Sequence, residues 1–336
     1  MKILFISSGK GIDYMSDTIF HGLKSLYGKN VYENVDHHYL FDDSSSDCQK
    51  SLYGKGFTVG GNLDSDLKNV LSNKEIKKLI KEQFFDLIIY GSIWRSNDYF
   101  SLVSKKYPRE KIIFIDGEDR TKIQKYYLNR GIYFKRELID EIENVFPIGF
   151  GIPESKIVKA VPDKKNIMAY IIPDEPSTYI YDTEKQYYDG YKKSCFGLTK
   201  KKAGWDCLRH YEIMANGCIP YFINLKECPK QTMHLFPKEL IIQSNNEFDT
   251  EIMELSKIKE ISKKLLDHTE NFLTTEKIVI YMINTVINSE KISSPTFSSH
   301  FIYNLLSYKY IILYFVLKEI IAGFYSKIKA FNNIKW

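Results

Sequence analysis

The sequence lacks the residue patterns that mark the common protein metal sites. Its five cysteines include no CxxC pair, and its seven histidines show no HExxH or HxxxH spacing. We therefore expect neither a bound metal ion nor a cofactor. The odd cysteine count is typical of reduced, structural thiols in a cytosolic protein.

Long apolar segments are also missing from the places where a membrane protein would need them. The N-terminus MKILFISSGKG has no long apolar core or cleavage site of a signal peptide. In the tail at 301–331, the uncharged stretch 310–317 has eight residues, whereas a bilayer span needs about 20. We expect a cytoplasmic protein whose amphipathic, Lys-rich tail packs on the body or contacts the inner face of a membrane as a peripheral protein.

A strong charge of one sign is absent as well. The chain has 47 Lys and Arg against 42 Asp and Glu, a formal net charge of +5. This mild excess is compatible with anionic small molecules or a membrane surface, and it is too weak to indicate nucleic acid as a partner. Aromatic residues are abundant, with 25 Tyr and 21 Phe, and a hydrophobic content of 44% suffices for a core.

The length of 336 residues predicts two domains of roughly 150 residues each. The fold class is α/β: two tandem Rossmann-like domains over 1–150 and 151–290, followed by a helical tail over 291–336. The Pro- and Gly-rich segment 146–156 marks the boundary between the domains. Strands that alternate with helices favour parallel, doubly wound sheets.

Hydrophobic patterns predict the individual elements on both sides of that boundary. In the first domain we predict strands and helices in alternation: strands over 2–7, 86–90 and 111–115, and helices over 13–26, 73–82, 98–106 and 120–129. In the second we predict strands over 166–172, 195–198, 218–223 and 239–242, helices over 184–192 and 207–216, and two further helices over about 246–289.

Two glycine-bearing segments of the first domain are candidates for ligand contact. The turn SSGKG, in which Lys10 stands between two glycines, follows the first strand and is neither a Walker loop nor GxGxxG. It indicates a ligand site at the end of the strand or simply a tight turn. The Gly-rich stretch YGKGFTVGG at 53–61 is interpreted as a mobile loop near the cleft.

The stretch KKAGWDCLRHYEIMANGCIPYF at 201–222 predicts a basic loop, a helix, a glycine turn and a strand. Asp206 is a suitable N-cap and Gly217 a suitable C′ residue. Arg209, Glu212 and Asn216 share one face of the helix. A helix N-terminus behind a basic loop favours an anion, whereas a carboxylate suits paired hydroxyls, so the face fits a nucleoside diphosphate. The alternative is an exposed Arg–Glu ion pair.

The same stretch carries a family resemblance. It reads R-x-Y-E-x-x-A-x-G-x-x-P, with the matching positions Arg209, Tyr211, Glu212, Ala215, Gly217 and Pro220. Together with two predicted Rossmann-like domains, this resembles glycosyltransferases of the GT-B fold, and among them the CgeB-like and exostosin-like groups. The resemblance is strongest over about 190–225 and is architectural elsewhere.

The resemblance implies that the second domain binds a nucleotide-sugar and the first binds a glycan, lipid-linked or protein acceptor, as in polysaccharide biosynthesis. Glu212 would meet the ribose, and Arg209 with the basic loop 200–202 would neutralise the diphosphate without a metal. The residues assigned to substrate binding are Thr199, Lys201, Lys202, Arg209, Glu212, Asn216 and Gly217, together with Lys10 and Arg95. The second glutamate of the E-x7-E pattern of many retaining relatives is absent, which argues against a retaining mechanism.

An inverting transfer needs a base that deprotonates the acceptor hydroxyl. Asp116, Glu118 and Asp119 follow a predicted strand, where ligands of doubly wound sheets bind, and we prefer Asp116 over Asp119. The alternative is that Asp116 or Glu118 caps the next helix. Asp13 is the other candidate base. Arg95, after the neighbouring strand, either steers an anionic acceptor or is solvated.

Two other functions share this fold. A nucleotide-sugar epimerase would turn over without an acceptor. A catalytically inactive relative would bind a nucleotide or glycan as an assembly partner, and changing Arg209 or Glu212 would then alter binding alone.

Overall fold

The computed structural model describes residues 1–250 and 253–293, without the side chains of 289–293. Residues Met1–Ile287 form one compact unit. The predicted tail over 291–336 lies outside the described residues, apart from the end of the last helix, which runs to Ser293. The tail's amphipathic character and membrane contact remain expectations.

A six-stranded, fully parallel sheet forms the first half of this unit. Its strands are β1 (Ile3–Ile6), β2 (Val31–Glu33), β3 (Leu87–Tyr90), β4 (Ile112–Asp116), β5 (Ile132–Lys135) and β6 (Val145–Pro147). Its helices are α1 (Tyr14–Tyr27), α2 (Ser46–Ser51), α3 (Asn73–Lys81) and α4 (Phe100–Lys106). The central strands are buried along their whole length, as expected for a parallel sheet covered on both faces.

The strand order β2-β1-β3-β4-β5-β6 places a topological switch point between β1 and β3. From β1 the chain moves outward to β2, and from β3 it moves the other way to β4. In open parallel sheets, the crevice beyond the strand ends at such a point is where ligands bind. The loops after β1 and β3 are therefore the expected site on this sheet.

A smaller parallel sheet of order β7-β8-β9 forms the second half. Its strands are β7 (Asn166–Met168), β8 (Ser194–Lys200) and β9 (Ile219–Ile223). Its helices are α5 (Glu184–Lys192), α6 (Leu208–Ala215), α7 (Lys238–Thr250), α8 (Leu255–Phe272) and α9 (Thr275–Ser293). The expected α/β class with two parallel sheets is confirmed. The domain roles and their boundary at residue 150 stay predictions, and that boundary falls between β6 and β7.

The start of α9 returns to the first sheet's side and packs on α1. His21 Nδ1 lies 2.9 Å from Thr275 Oγ1, and a Cβ atom added at Gly22 would lie 2.3 Å from the Thr275 carbonyl oxygen. The segment that connects the two sheets is bonded to the start of α9. Ile152 N donates to the Leu273 carbonyl oxygen, and Thr275 N donates to the Ile152 carbonyl oxygen. These contacts join the two sheets through one core.

Two predicted elements are wrong. Residues 120–124 have no regular structure and 125–129 form turns instead of a helix, because the Tyr127 ring packs with its centroid 4.7 Å from that of Phe114 and tertiary packing overrides helix propensity. The predicted strand 239–242 is part of α7, in which Ile241, Ser244 and Asn245 are buried at helical spacing. A short apolar run does not distinguish the two structures.

Candidate functional site

A cleft of about 830 Å³ lies between the two sheets. The first sheet contributes the residues that follow its strands and the Gly-rich loop, namely Ile12, Asp13, Tyr14, Met15, Tyr53, Gly54, Lys55, Phe57, Arg95, Gly117, Glu118, Asp119 and Arg136. The second half contributes Phe150, Ile171, Tyr179, Tyr181, Tyr187, Lys202, Ala203, Gly204, Asp206, Cys207, Leu208, Arg209 and Glu212. The predicted position of the Gly-rich loop at the cleft is confirmed.

The topological switch point supplies two of the candidate residues. Asp13 caps α1 by accepting a hydrogen bond from Ser16 N, and its Oδ2 lies 3.1 Å from Arg95 Nε. Glu118 Oε1 lies 3.8 Å from the same nitrogen. Asp13 and Arg95 therefore both reach the cleft, but they neutralise each other there.

Asp116, the preferred base, is in the core and does not line the cleft. Its carboxylate is paired with Lys135 Nζ at 2.8 Å and accepts a hydrogen bond of 2.5 Å from the Tyr133 hydroxyl. A general base must lie within hydrogen-bond reach of the substrate, which this position does not allow. The alternative role as a helix cap also fails, because the following segment is not a helix. The carboxylates that do reach the cleft from the first sheet are Asp13, Glu118 and Asp119.

Arg136 links the first sheet to the helix opposite. It follows β5, is almost fully buried, and donates to the carbonyl oxygens of Gly117 and Asp206. It also forms an ion pair with Asp119, whose side chain is 51% exposed. Asp119 thus faces the cleft as predicted, in contact with a cation that the sequence analysis did not identify.

The predicted N-cap of α6 is wrong. Cys207 occupies the N-cap position and makes no side-chain capping hydrogen bond. The Asp206 carboxylate accepts instead from Phe150 N at 3.1 Å and from the Tyr211 hydroxyl at 2.9 Å. The start of α6 therefore faces the cleft without a side-chain acceptor on its first-turn N–H groups, which is the arrangement that favours an anion.

Asp206 is held by groups from both halves of the molecule. Glu137 accepts hydrogen bonds of 3.0 Å from Trp205 N and from Asp206 N, which fixes the turn before α6. Burial raises the pKa of Asp206 to about 6, with the Arg136 guanidinium opposing and the Glu137 carboxylate adding to the shift. Asp206 therefore titrates near neutral pH.

Arg209 lines the cleft from the first turn of α6, and it is the unpaired cation among the described residues of the site. Among the described residues, its guanidinium has no hydrogen-bonded or ion-paired partner, and its Nε is buried without an acceptor. Its guanidinium lies over the Tyr179 ring, whose centroid is 5.5 Å away. The alternative of an Arg209–Glu212 ion pair is therefore not what the structure contains.

Glu212, on the next turn of α6, is buried and has one hydroxyl group on each carboxylate oxygen. Tyr187 donates to Oε2 at 2.6 Å, and Thr58 donates to Oε1. Burial raises the pKa of Glu212, while these two hydrogen bonds and the Arg209 charge oppose the shift. The carboxylate thus already binds a pair of hydroxyls.

Five residues assigned to substrate binding do not line the cleft, and the first three are Lys201, Thr199 and Lys10. Lys201 lies over the Trp205 ring, 5.0 Å from its centroid. Thr199 is buried, with its hydroxyl 2.9 Å from His210 Nδ1. Lys10 is exposed in the turn after β1. Each is occupied by local packing or directed at solvent.

The end of α6 is likewise structural. Asn216 Nδ2 donates to the Glu212 carbonyl oxygen at 2.8 Å, and neither Asn216 nor Gly217 lines the cleft. Gly217 adopts φ +65°, as predicted for a C′ glycine. Lys202 does reach the cleft, but its Nζ lies 2.8 Å from Asp174 Oδ1.

Four residues of the site were not predicted from the sequence: Thr58, Arg136, Glu137 and Tyr187. Arg136 and Glu137 directly follow a buried apolar strand, a position that could have marked them. Thr58 lies inside the Gly-rich loop that was placed at the cleft, but nothing local connects it to Glu212, 154 residues away.

No group of three or more His, Cys, Asp or Glu residues in the described part of the chain could hold a metal ion. No helix in those ranges is both long and apolar enough to span a bilayer. All five cysteines are free thiols.

No protein-family model matches the chain, and no curated protein sequence matches it. The chain is similar to the solved structure of an alpha-glucosyltransferase in complex with UDP and a 13-mer DNA containing a HMU base. The identity is 10%, the TM-score 0.40, and the match covers 86% of this chain and 99% of that one.

It is also similar to Anabaena Alr3699/HepE in complex with UDP and glucose and in complex with UDP-glucose. The TM-score is 0.47 in both cases, with 10% and 9% identity, over 86% of this chain and all of the other. At these values, the activity of this chain has to be argued from its own cleft.

Proposed function

We propose that the protein is a glycosyltransferase that uses a nucleotide-sugar donor, with Arg209 on the diphosphate and Glu212 on the ribose. One observation carries the proposal. Two groups lie one turn apart on the cleft side of α6. One is the buried Glu212 carboxylate, which binds two hydroxyls, and the other is the Arg209 guanidinium, which has no anionic partner among the described residues.

The cationic half of this pair requires an anion. A partly buried guanidinium is costly unless a counter-charge compensates for its lost hydration. Among the described residues no carboxylate forms an ion pair with Arg209, whereas Arg95, Arg136 and Lys202 are all paired with carboxylates. The start of α6 adds its N–H groups and the positive end of its dipole at the same place. A diphosphate meets both features.

The anionic half fits the sugar part of a nucleotide. Each Glu212 oxygen accepts one hydroxyl, and vicinal ribose hydroxyls would present the same two donors. Hydrogen bonds to an ionised group contribute about 1.5–3 kcal/mol each. A ligand that carries both a diol and a diphosphate can therefore bind Glu212 and Arg209 on the same face of α6.

The chemistry follows from the two sides of the cleft. Arg209 and the α6 N-terminus would stabilise the charge of the departing diphosphate, a role that needs no bound metal. Asp13, Glu118 and Asp119 face them from the first sheet and are the candidates for a base in an inverting transfer. The acceptor, a glycan, a lipid-linked glycan or a protein, would enter from that side.

The test is a binding cycle on the full-length protein. Calorimetry would compare a ribonucleoside diphosphate with its 2′,3′-dideoxy analogue on wild type, Glu212→Gln and Arg209→Met. Arg209→Met should weaken both ligands by about 10- to 100-fold, since it removes charge-assisted hydrogen bonds. Glu212→Gln should weaken the ribonucleotide and leave the dideoxy analogue unchanged. Hydrolysis and transfer assays with and without acceptors then separate transferase from epimerase.

Lys201→Met and Glu260→Gln are the matched controls. Lys201 lies outside the cleft and Glu260 is on the exposed face of α8, so both variants should bind like wild type. Arg209→Met should keep wild-type thermal stability, because it leaves no partner unpaired. Nucleotide affinities equal in all variants would refute the proposed grip.

A further inference from the structure

The Gly-rich loop at residues 53–61, here called the strap, reaches from the first sheet's side onto the second. Lys55 Nζ donates to the Tyr181 carbonyl oxygen at 2.8 Å and pairs with Asp182 at 2.9 Å. The Phe57 ring stacks on Tyr187 with a centroid distance of 5.8 Å. The strap therefore covers the part of the cleft that contains Glu212.

The tip of the strap is Thr58, which is completely buried. Its hydroxyl donates to Glu212, so the Tyr188 hydroxyl, 2.6 Å away, donates to it in turn. Its backbone N–H donates to Glu184 Oε2 at 2.5 Å. Three side chains of the second half of the molecule, Glu184, Tyr188 and Glu212, thus form hydrogen bonds with Thr58 of the first half.

Thr58 is held in a conformation that its side chain disfavours. Its φ is +77°, and a β-branched residue at positive φ is an outlier that persists only when its surroundings enforce it. The flanking Gly54, Gly56 and Gly61 have positive φ at no such cost and provide points about which the strap can bend. Loss of the contact at Glu212 would release this strain.

We propose that the strap is a latch that the nucleotide displaces, with the Thr58 hydroxyl standing where one ribose hydroxyl binds. This rests on the proposed function of Glu212. The Thr58 hydroxyl and a ribose hydroxyl cannot occupy the same position on Glu212 Oε1. The nucleotide and the strap therefore compete for this oxygen. The apparent affinity for a nucleotide is then reduced by the fraction of molecules in which the strap is closed.

The competition predicts opposite effects for two substitutions of Thr58. Thr58→Val keeps the β-branched shape and loses the hydroxyl, so the apparent affinity for a ribonucleoside diphosphate should rise about tenfold. Thr58→Ser keeps the hydroxyl and should bind like wild type. Tyr188→Phe removes the second contact of the Thr58 hydroxyl and should give a smaller rise, which provides a milder variant if Thr58→Val folds poorly.

Hydrogen–deuterium exchange provides a readout that needs no catalysis. The Thr58 amide is protected by Glu184 in the closed strap, so peptides covering 53–62 should exchange slowly in the free wild type and faster in Thr58→Val. Saturation with a ribonucleoside diphosphate should speed exchange in the wild type. The 2′,3′-dideoxy analogue, which has no hydroxyl to compete with Thr58, should leave the strap protected.

The outcomes separate the latch from the proposed function. If the ribonucleotide binds but the strap stays protected and Thr58→Val has wild-type affinity, the latch is refuted and the proposed function stands. If Thr58→Val loosens the strap in exchange yet no nucleotide binds either protein, the nucleotide site is refuted, and with it displacement by a nucleotide.

Discussion

The contribution of Asp206 to the free energy of unfolding should fall as the pH rises from about 4 to about 7. Asp206 is buried against Phe150 N and the Tyr211 hydroxyl. The charged groups that face it are Arg136 and Glu137, which act in opposite directions on its pKa. Burial dominates and raises the pKa from 3.8 to about 6.

The sign follows from proton linkage. The folded state holds the Asp206 proton more tightly than the unfolded state, so this stabilisation is complete below pH 3.8 and is lost as the pH rises through about 6. The rise in pKa from 3.8 to about 6, at about 1.36 kcal/mol for each pH unit, corresponds to about 3 kcal/mol.

Urea unfolding of wild type and Asp206→Asn between about pH 4 and about pH 7 measures this contribution. Asparagine does not titrate, so the difference between the two proteins should move by about 2.5 kcal/mol in favour of Asp206→Asn over this range. Asp163→Asn, at an exposed position, should follow the wild type. Parallel curves for wild type and Asp206→Asn would refute the reasoning, since every other titrating group is common to both.

Three further predictions concern stability and use the same urea assay. Lys24→Met should lower the free energy of unfolding by about 3–5 kcal/mol, because Lys24 Nζ lies 2.6 Å from the carboxylate of fully buried Glu33, which would be left unpaired. Gly22→Ala should cost about 1–3 kcal/mol, because its Cβ would overlap the Thr275 carbonyl oxygen. Gly217→Ala should cost about 1–2 kcal/mol, the penalty of a left-handed conformation for an L-residue.

Matched variants isolate each cause. Lys29→Met removes an exposed lysine near Lys24 and should be neutral; an equal loss in both variants would contradict the buried-pair argument. Gly11→Ala meets no atom within 4 Å at φ +70°, so it reports the backbone penalty alone. If Gly22→Ala, at an ordinary helical φ, proves as stable as wild type, the close contact with α9 is not rigid.

Local signals predicted the elements whose ends are set locally. The prediction of a helix over 184–192 matches α5, where Thr183 and Gln186 form a capping box. The buried apolar runs gave β1, β3 and β4 because strands covered on both faces are continuously hydrophobic. Helical spacing also placed Arg209 and Glu212 on one face of α6, and both residues line the cleft.

The remaining features depend on contacts between distant parts of the chain. Asp206 has a side chain suited to an N-cap, but its carboxylate accepts hydrogen bonds from Phe150 N and the Tyr211 hydroxyl instead. Asp116 lies at the end of a strand, but its carboxylate forms an ion pair with Lys135 on the neighbouring strand and is buried in the core. The contact of Thr58 with Glu212 spans 154 residues and has no periodic or compositional signature.

The two hydrogen bonds that the Glu137 carboxylate accepts from the backbone of the turn before α6 have a mechanical consequence. They bind the leading end of that helix to the larger sheet, although the helix belongs to the smaller one. Any hinge opening of the molecule must either rupture both bonds or carry the turn along. The distance between the start of α6 and the cleft-lining carboxylates of the first sheet is thereby built into the scaffold, and Glu137→Ala should loosen that alignment although Glu137 does not line the cleft.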